Sequence, residues 1–154
     1  MVRAFIFLFS FALIAAAPQR PVIVSINPAQ ALEITAGSKA EYPLELSVLK
    51  GFHIQANPAS EDYLIAVTAK LQPVDGIKIG EPVYPKGIPF RLKASKKDIS
   101  TYEDTVVIKI PLQIDPAAKK GVIALKGTLR YQGCDAELCF PPVNLPFEAK
   151  LKIK

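Results

Sequence analysis

The chain has 154 residues and a formal net charge of +5 at pH 7, with 50% hydrophobic and 21% charged residues. This length suits one domain with its own apolar core and is too short for two domains of ordinary size. The lysines are scattered rather than massed, and aromatic residues do not alternate with them, so the composition argues against a nucleic-acid partner.

The N-terminal segment is typical of an export signal. Arg3 supplies a positive charge, residues 4–13 are almost wholly apolar, and three alanines follow as the small residues that a signal peptidase needs. The apolar run is shorter than the roughly 20 residues of a membrane-spanning helix, and no later stretch is apolar enough to span. We therefore expect residues 1–17 to be a signal peptide, cleaved somewhere within residues 15–19, and residues 18–154 to be one exported domain.

Alternating apolar and polar residues dominate the rest of the chain, and a period of two is typical of half-buried β-strands. Most of the 14 prolines and 8 glycines lie between these runs. Seven or more short strands joined by turns predict an all-β fold, an immunoglobulin-like β-sandwich. The inward positions of the four clearest strands are Leu44, Leu46 and Val48; Val106, Ile108, Ile110, Leu112 and Ile114; Ile123, Leu125, Leu129 and Tyr131; and Phe147, Ala149, Leu151 and Ile153.

Two segments depart from this strand pattern. Residues 84–98 are the least regular part of the chain and predict a long loop interrupted by a short strand at residues 90–94; long loops on rigid scaffolds often carry function. Between two strands, Asp115 as N-cap, Pro116 at the first helical position and Gly121 just beyond the end predict a single helical turn.

The only two cysteines, Cys134 and Cys139, lie on a hairpin-like connection at one end of the predicted sandwich. In an oxidising compartment two thiols this close should form a disulfide. Closing so small a loop stabilises a protein by roughly 2 kcal/mol, against about 3 for a 15-residue loop. A tight loop between a glycine and two prolines therefore favours a disulfide that opens and closes, and a disulfide that only braces the hairpin is the alternative.

Side chains near the cysteines bear on their reactivity. Asp135 and Glu137 lie inside the loop and, if close to the sulfurs, disfavour the thiolate. Tyr131 and Phe140, or a lid from residues 84–98, are candidates to shield the sulfurs until a partner docks.

Other residue patterns carry little chemistry. His53 is the single histidine and has no nearby Asp or Ser in the sequence, which favours a structural role. Two cysteines and one histidine are too few for a zinc site, and the one methionine is Met1, which argues against copper. We therefore expect no metal and no cofactor. The acidic pairs at 61–62 and 103–104 are expected in solvated loops, and no phosphate loop or nucleophile elbow is present.

Residues 131–134, Tyr-Gln-Gly-Cys, followed by residues 139–142, Cys-Phe-Pro-Pro, resemble the N-terminal periplasmic domain of the thiol:disulfide interchange protein DsbD. The resemblance extends to residues 51–58 and 63–65, and to residues 101–104 with the strand that follows. It implies an immunoglobulin-like fold and a redox role in the periplasm. In that family the domain takes electrons from a membrane-embedded section and reduces periplasmic partners, including disulfide isomerases and cytochrome c maturation factors.

The resemblance also implies roles for individual residues. Cys134 and Cys139 match the redox pair, and Cys139 matches the cysteine that joins a partner in a mixed disulfide; reasoning from the residues alone did not choose between the two. The family shields its cysteines with a cap loop, which by position falls at residues 84–90, with Tyr84 and Phe90 as candidates.

The sequence thus predicts an exported thiol–disulfide exchange module that passes electrons through the cysteine pair to periplasmic thioredoxin-fold proteins. Full-length members of the family continue into transmembrane helices, whereas this sequence stops at Lys154, so we expect a membrane electron donor on another polypeptide. The alternative is a non-catalytic immunoglobulin-like interaction module with a structural disulfide.

Overall fold

A computed structural model describes residues 21–27, 30–93 and 95–154 of the chain. These residues form twelve β-strands and no helix. The predicted signal peptide, residues 1–17, lies outside the described residues, and none of the described segments is a helix able to cross a membrane. The strands are β1 (Val24–Ile26), β2 (Leu32–Ile34), β3 (Lys39–Val48), β4 (His53–Gln55), β5 (Thr68–Leu71), β6 (Ile77–Ile79), β7 (Ile88–Phe90), β8 (Ile99–Tyr102), β9 (Thr105–Ile114), β10 (Gly121–Tyr131), β11 (Gly133–Cys134) and β12 (Val143–Ile153).

The strands are arranged in three four-stranded sheets. The first sheet has the order β1-β3-β9-β6, the second β2-β12-β10-β5, and the third β11-β4-β8-β7. Neighbouring strands are antiparallel except β2, which runs parallel to β12. The long pairs β3–β9 and β10–β12 are the centres of the first two sheets.

One apolar cluster joins the three sheets. It contains the inward residues of β3, β9, β10 and β12, and the third sheet adds Ile54 and Tyr102. The predicted alternation is confirmed, because every inward position proposed for these four long strands is buried except Ile123, which is partly buried. The predicted immunoglobulin-like sandwich is therefore confirmed, and apolar packing holds its sheets together.

The lysines of the final strand lie on its solvated side. Lys150, Lys152 and Lys154 are exposed. Hydrogen bonds from Lys154 and Lys152 to the carboxylate of Glu33, on the neighbouring β2, lower its pKa to about 2. These exposed ion pairs lie on the outer face of the parallel β2–β12 pair.

The predicted helical turn at Asp115 is wrong. The Asp115 N–H donates to Gly76 O at 2.8 Å, and the Asp115 carbonyl accepts from the Ala118 N–H at 3.0 Å. Its Oδ1 accepts from the Ala117 N–H at 2.7 Å. Residues 115–118 therefore form a hydrogen-bonded turn and no helix, and Gly121 begins β10 with a φ of 131°.

The short strand predicted at residues 90–94 is also misplaced. The strand observed there is β7, Ile88–Phe90, whose last residue pairs with Ile99 of β8. The chain then leaves the sheet, and the Arg91 side chain bonds Asp98 instead, with Nε 2.6 Å from Oδ1.

Candidate functional site

The cysteine loop is a tight β-hairpin that leaves β10 and enters the third sheet. Cys134 and Cys139 are directly opposite each other across its ladder, with their Cα atoms 3.9 Å apart and their sulfurs joined at 2.04 Å. The expected disulfide is confirmed. Backbone bonds close the hairpin on both sides of the pair, from the Asp135 N–H to Leu138 O at 3.0 Å and from the Phe140 N–H to Gly133 O at 2.8 Å.

The base of this hairpin is fixed by Gln132. Its Oε1 accepts from the Ile65 N–H at 2.9 Å and its Nε2 donates to Phe140 O at 3.1 Å. The next residue is a glycine for a steric reason, because a Cβ on Gly133 would lie 2.5 Å from Ile23 Cδ1. These contacts hold the base of the hairpin in place against the sandwich.

The two cysteines differ in their access to solvent. Cys134 belongs to β11 and is 0% exposed, whereas Cys139 is partly exposed. The residue before it, Leu138, is a large apolar side chain that is 51% exposed. Cys139 is thus the more exposed residue of the pair, and the apolar Leu138 lies next to it in the chain.

The buried Cys134 side chain lies on one face of the third sheet, and we call this face the site face. Residues opposite each other in paired strands share a face. The site face excludes Ile54 and Tyr102, which point to the core. Register places on it Cys134 and His53, Gln55 and Thr101, and Ile99 and Phe90.

Gln55 is the residue of the site face that touches the disulfide. It is 0% exposed, and its Nε2 donates to Cys134 Sγ at 3.1 Å and contacts Cys139 Sγ at 3.6 Å. Its Oε1 is buried and has no hydrogen-bond partner among the described residues. Gln55 is not among the site residues predicted from the sequence, where its only signal is a glutamine between the apolar Ile54 and Ala56.

His53 lies beside Cys134 in the sheet register. Its ring stacks on Phe90 with centroids 3.7 Å apart, and its Nε2 is 3.0 Å from Glu103 Oε2. Its Nδ1 is buried without a partner among the described residues. The acidic pair at 103–104 is exposed, as expected, but Glu103 also supplies the acidic neighbour that the sequence around His53 lacks.

The four candidate shielding residues lie in two different places. Tyr131 and Tyr84 pack against the sandwich core, and the Tyr84 hydroxyl accepts from the Ala69 N–H at 3.0 Å. Phe140 follows Cys139 directly and packs on Phe52, with ring centroids 6.2 Å apart. Phe90 is on the site face. Of the four candidates, Phe140 is therefore adjacent to Cys139 in the chain, and Phe90 shares the site face with Cys134.

The segment that contacts the cysteine hairpin begins after Phe90. The Lys93 N–H donates to Ala136 O at 3.0 Å, and the Lys93 ammonium pairs with Glu137. The Arg91–Asp98 bond closes the same segment on itself. We call residues 91–93 and 95–98 the strap; it lies within residues 84–98, from which a lid was expected, and beyond residues 84–90, where a cap loop was expected.

The acidic residues of the hairpin are engaged with backbone and lysine. Asp135 Oδ1 accepts from the Glu137 N–H at 2.7 Å and the Leu138 N–H at 2.8 Å. The backbone N–H groups of Leu138 and then Glu137 lower the pKa of Asp135 below its ordinary value. Its charge is therefore balanced within the turn. Among the described residues, no group of three or more His, Cys, Asp or Glu could hold a metal ion.

Comparisons with known proteins agree with this fold. A family model described as "Thiol:disulfide interchange protein DsbD, N-terminal" matches residues 23–150. A crystal structure of the Neisseria meningitidis DsbD N-terminal domain in the reduced form aligns with a TM-score of 0.50 and 20% identity, covering 76% of this chain and 82% of that one. The N-terminal periplasmic domain of ScsB from Proteus mirabilis aligns with a TM-score of 0.50 and 14% identity, covering 84% of this chain and 44% of that one. A search of curated protein sequences finds no match.

Proposed function

This chain belongs to the family of the N-terminal domain of the thiol:disulfide interchange protein DsbD, and from that premise we propose that it is a thiol–disulfide exchange module. Cys134 and Cys139 are its redox pair. It accepts two electrons from a dithiol donor and delivers them to a partner disulfide. The reacting groups are cysteine thiols alone, so the exchange uses no metal and no cofactor.

The difference in burial between the two sulfurs carries this proposal. Cys134 is 0% exposed and Cys139 is partly exposed. Thiol–disulfide exchange requires the attacked or attacking sulfur to be reachable, since its rate depends on access as well as on thiolate character. Cys139 is therefore the sulfur that bonds to the partner, and Cys134 is the resolving cysteine.

The exchange proceeds in two balanced steps. In the reduced protein, the Cys139 thiolate attacks one sulfur of the partner disulfide, a mixed disulfide forms, and the other partner sulfur leaves as a thiolate. Cys134 then loses its proton and attacks Cys139, which restores the Cys134–Cys139 bond and releases the partner as a dithiol. A dithiol donor repeats the same exchange in the opposite direction to reduce the module again.

Phe90, Phe140 and the strap shield the pair between encounters. Phe140 is bonded into the hairpin through its backbone, and the strap is attached through Lys93. A docking partner competes with these contacts and uncovers Cys139. This arrangement limits reaction with small oxidants while leaving exchange with a protein partner fast.

The module operates in the periplasm, delivered by the segment at residues 1–17. The related ScsB domain is described as periplasmic, and an oxidising compartment is where such a disulfide persists. Its recipients are thioredoxin-fold proteins, with those of cytochrome c maturation among them, and its donor is a membrane electron carrier.

The first test separates the roles of the two cysteines. Reduced Cys134→Ser and Cys139→Ser variants are mixed with a thioredoxin-fold protein whose cysteine carries a chromogenic thiol leaving group. Cys134→Ser should form a stable mixed disulfide, because Cys139 is reachable and nothing resolves it. Cys139→Ser should react at least about tenfold more slowly, since its remaining sulfur is buried. Equal reaction of the two variants would contradict the assignment.

The reduction potential decides between exchange and a structural brace. We expect the pair to equilibrate with glutathione or dithiothreitol at a potential above about −300 mV, because structural disulfides of secreted proteins lie below that value. A pair that stays oxidised in those buffers would favour a non-catalytic interaction module instead.

A further inference from the structure

A single carboxamide touches both sulfurs of the pair. Gln55 Nε2 lies 3.1 Å from Cys134 Sγ and 3.6 Å from Cys139 Sγ. Its backbone is held on both sides, because its N–H donates to Gln132 O at 3.0 Å and its carbonyl accepts from the Val67 N–H at 3.2 Å. The side chain is 0% exposed, so it cannot turn to water for other partners.

The hydrogen-bonding capacity of this carboxamide is poorly used in the oxidised protein. Gln55 Oε1 is buried and finds no donor among the described residues. A disulfide has no hydrogen to donate, and its sulfurs are weak acceptors. Buried polar groups are hydrogen-bonded in the great majority of cases. The oxidised state therefore leaves one end of the amide unpaired and the other weakly paired.

We propose that Gln55 is a catalytic residue of the exchange site, which stabilises the reduced pair relative to the disulfide and so raises the reduction potential. The inference rests on the proposed function and names the group that tunes it. A thiol offers an S–H donor, and a thiolate is a strong acceptor. In the reduced pair, the buried Cys134 thiol donates to Gln55 Oε1, and Gln55 Nε2 donates to the Cys139 sulfur.

The electrons and protons balance with a dithiol as reductant. The Cys134–Cys139 bond breaks, the two sulfurs of the dithiol join to each other, and its two protons pass to the cysteines. Cys139 then releases its proton to solvent when it becomes the nucleophile. In this state Gln55 Oε1 has a donor in the Cys134 thiol, and Gln55 Nε2 has an acceptor in the Cys139 sulfur.

The test uses Gln55→Met, which keeps the length of the side chain and removes both polar ends. Each protein is equilibrated with mixtures of reduced and oxidised dithiothreitol, and the reduced fraction is measured. We expect the equilibrium constant for reduction to fall about tenfold in Gln55→Met, which corresponds to about 30 mV. Thr101→Val is the matched control, because Thr101 is also 0% exposed and lies opposite Gln55 on the site face. It should leave the constant within about twofold.

A second measurement needs no variant. In the parent protein, reduction should slow the hydrogen exchange of the Gln55 side-chain amide and shift its nitrogen resonance, because Nε2 gains a stronger acceptor. An unchanged amide signal, or a Gln55→Met constant equal to that of the parent, overturns the inference. A Gln55→Met protein that fails to fold leaves the resonance measurement as the deciding one.

The outcome for Gln55 is separable from the outcome for the proposed function. In one outcome, physiological dithiols reduce the parent pair while Gln55→Met leaves the equilibrium constant for reduction unchanged. That outcome removes the role of Gln55 and keeps the exchange function. If no physiological dithiol reduces the parent pair, the exchange function is removed. A difference between the equilibrium constants of Gln55→Met and the parent in stronger reductants would still assign the tuning to Gln55.

Discussion

At the scale of a single residue, Asp135 stabilises the turn of the cysteine hairpin. Its Oδ1 accepts from two successive backbone N–H groups, and these bonds lower its pKa. Because the pKa is lower in the folded than in the unfolded chain, the stabilisation is complete above the ordinary aspartate pKa of 3.8 and is lost as the pH falls through the folded value. The turn should therefore loosen only in acid.

Amide hydrogen exchange at Glu137 and Leu138 measures this effect. Asp135→Ala should speed exchange roughly several-fold at neutral pH, since both acceptor bonds are lost. Asp135→Asn keeps the Oδ1 acceptor and should retain the protection without its loss in acid. Protection in the parent that is independent of pH, or equal in Asp135→Ala, would be inconsistent with the role given to Asp135.

The cysteines were recognisable from the sequence, but Gln55 was not. Cysteine chemistry is rare and specific, so two thiols on one short loop predict a disulfide at once. A buried glutamine has no such signature. Gln55 becomes a site residue only because the fold places β4 next to β11, and Gln55 and Cys134 are 79 positions apart in the chain. His53 was likewise assigned a structural role without Glu103, which the fold brings to it from 50 positions away.

At the scale of an element, the strap contacts the hairpin through one backbone bond. The Lys93 N–H donates to Ala136 O, while the Lys93–Glu137 ion pair is exposed on both sides and such pairs contribute little. Lys93→Pro removes the N–H donor and should raise the alkylation rate of Cys139 in the reduced protein by about 3- to 10-fold. Lys93→Ala keeps the donor and should change the rate by less than about twofold.

Lys96→Pro is the control for Lys93→Pro, because it places a proline in the same strap at a residue with no backbone bond to the hairpin. Its alkylation rate should stay near that of the parent. The strap would have no covering role if Lys93→Pro and Lys96→Pro reacted alike.

Long strands were predictable and short ones were not. In β3, β9, β10 and β12 the alternation runs over ten or eleven residues, enough to identify both the strand and its inward face. The third sheet is made of strands of two to four residues, in which a period of two cannot be recognised. For the same reason β7 was placed too late in the chain, and the turn at Asp115 was taken for a helix because capping residues also favour turns.

At the scale of the whole molecule, the sandwich does not depend on its disulfide. Its apolar cluster draws on all three sheets, whereas the disulfide closes only a six-residue loop. Cys134→Ala with Cys139→Ala should therefore unfold cooperatively in urea, with a free energy of unfolding lower by about 2 kcal/mol than that of the oxidised parent. Fluorescence and circular dichroism should report one coincident transition.

A double variant that is unfolded without denaturant would show instead that the bridge is required for the fold. Such a result would support the structural brace over the exchange module. The reduced parent serves as the control, since it has the same broken bond without any change in side-chain volume.

Alternate residues of strand β4 face the apolar core and the cysteine pair. Ile54 belongs to the core cluster, while His53 and Gln55 face the sulfurs on the opposite side. Substitutions at positions 53 and 55 should therefore change the surroundings of the sulfurs, while Ile54 keeps the third sheet packed on the core. A library confined to those two positions should give a graded series of reduction potentials for the cysteine pair.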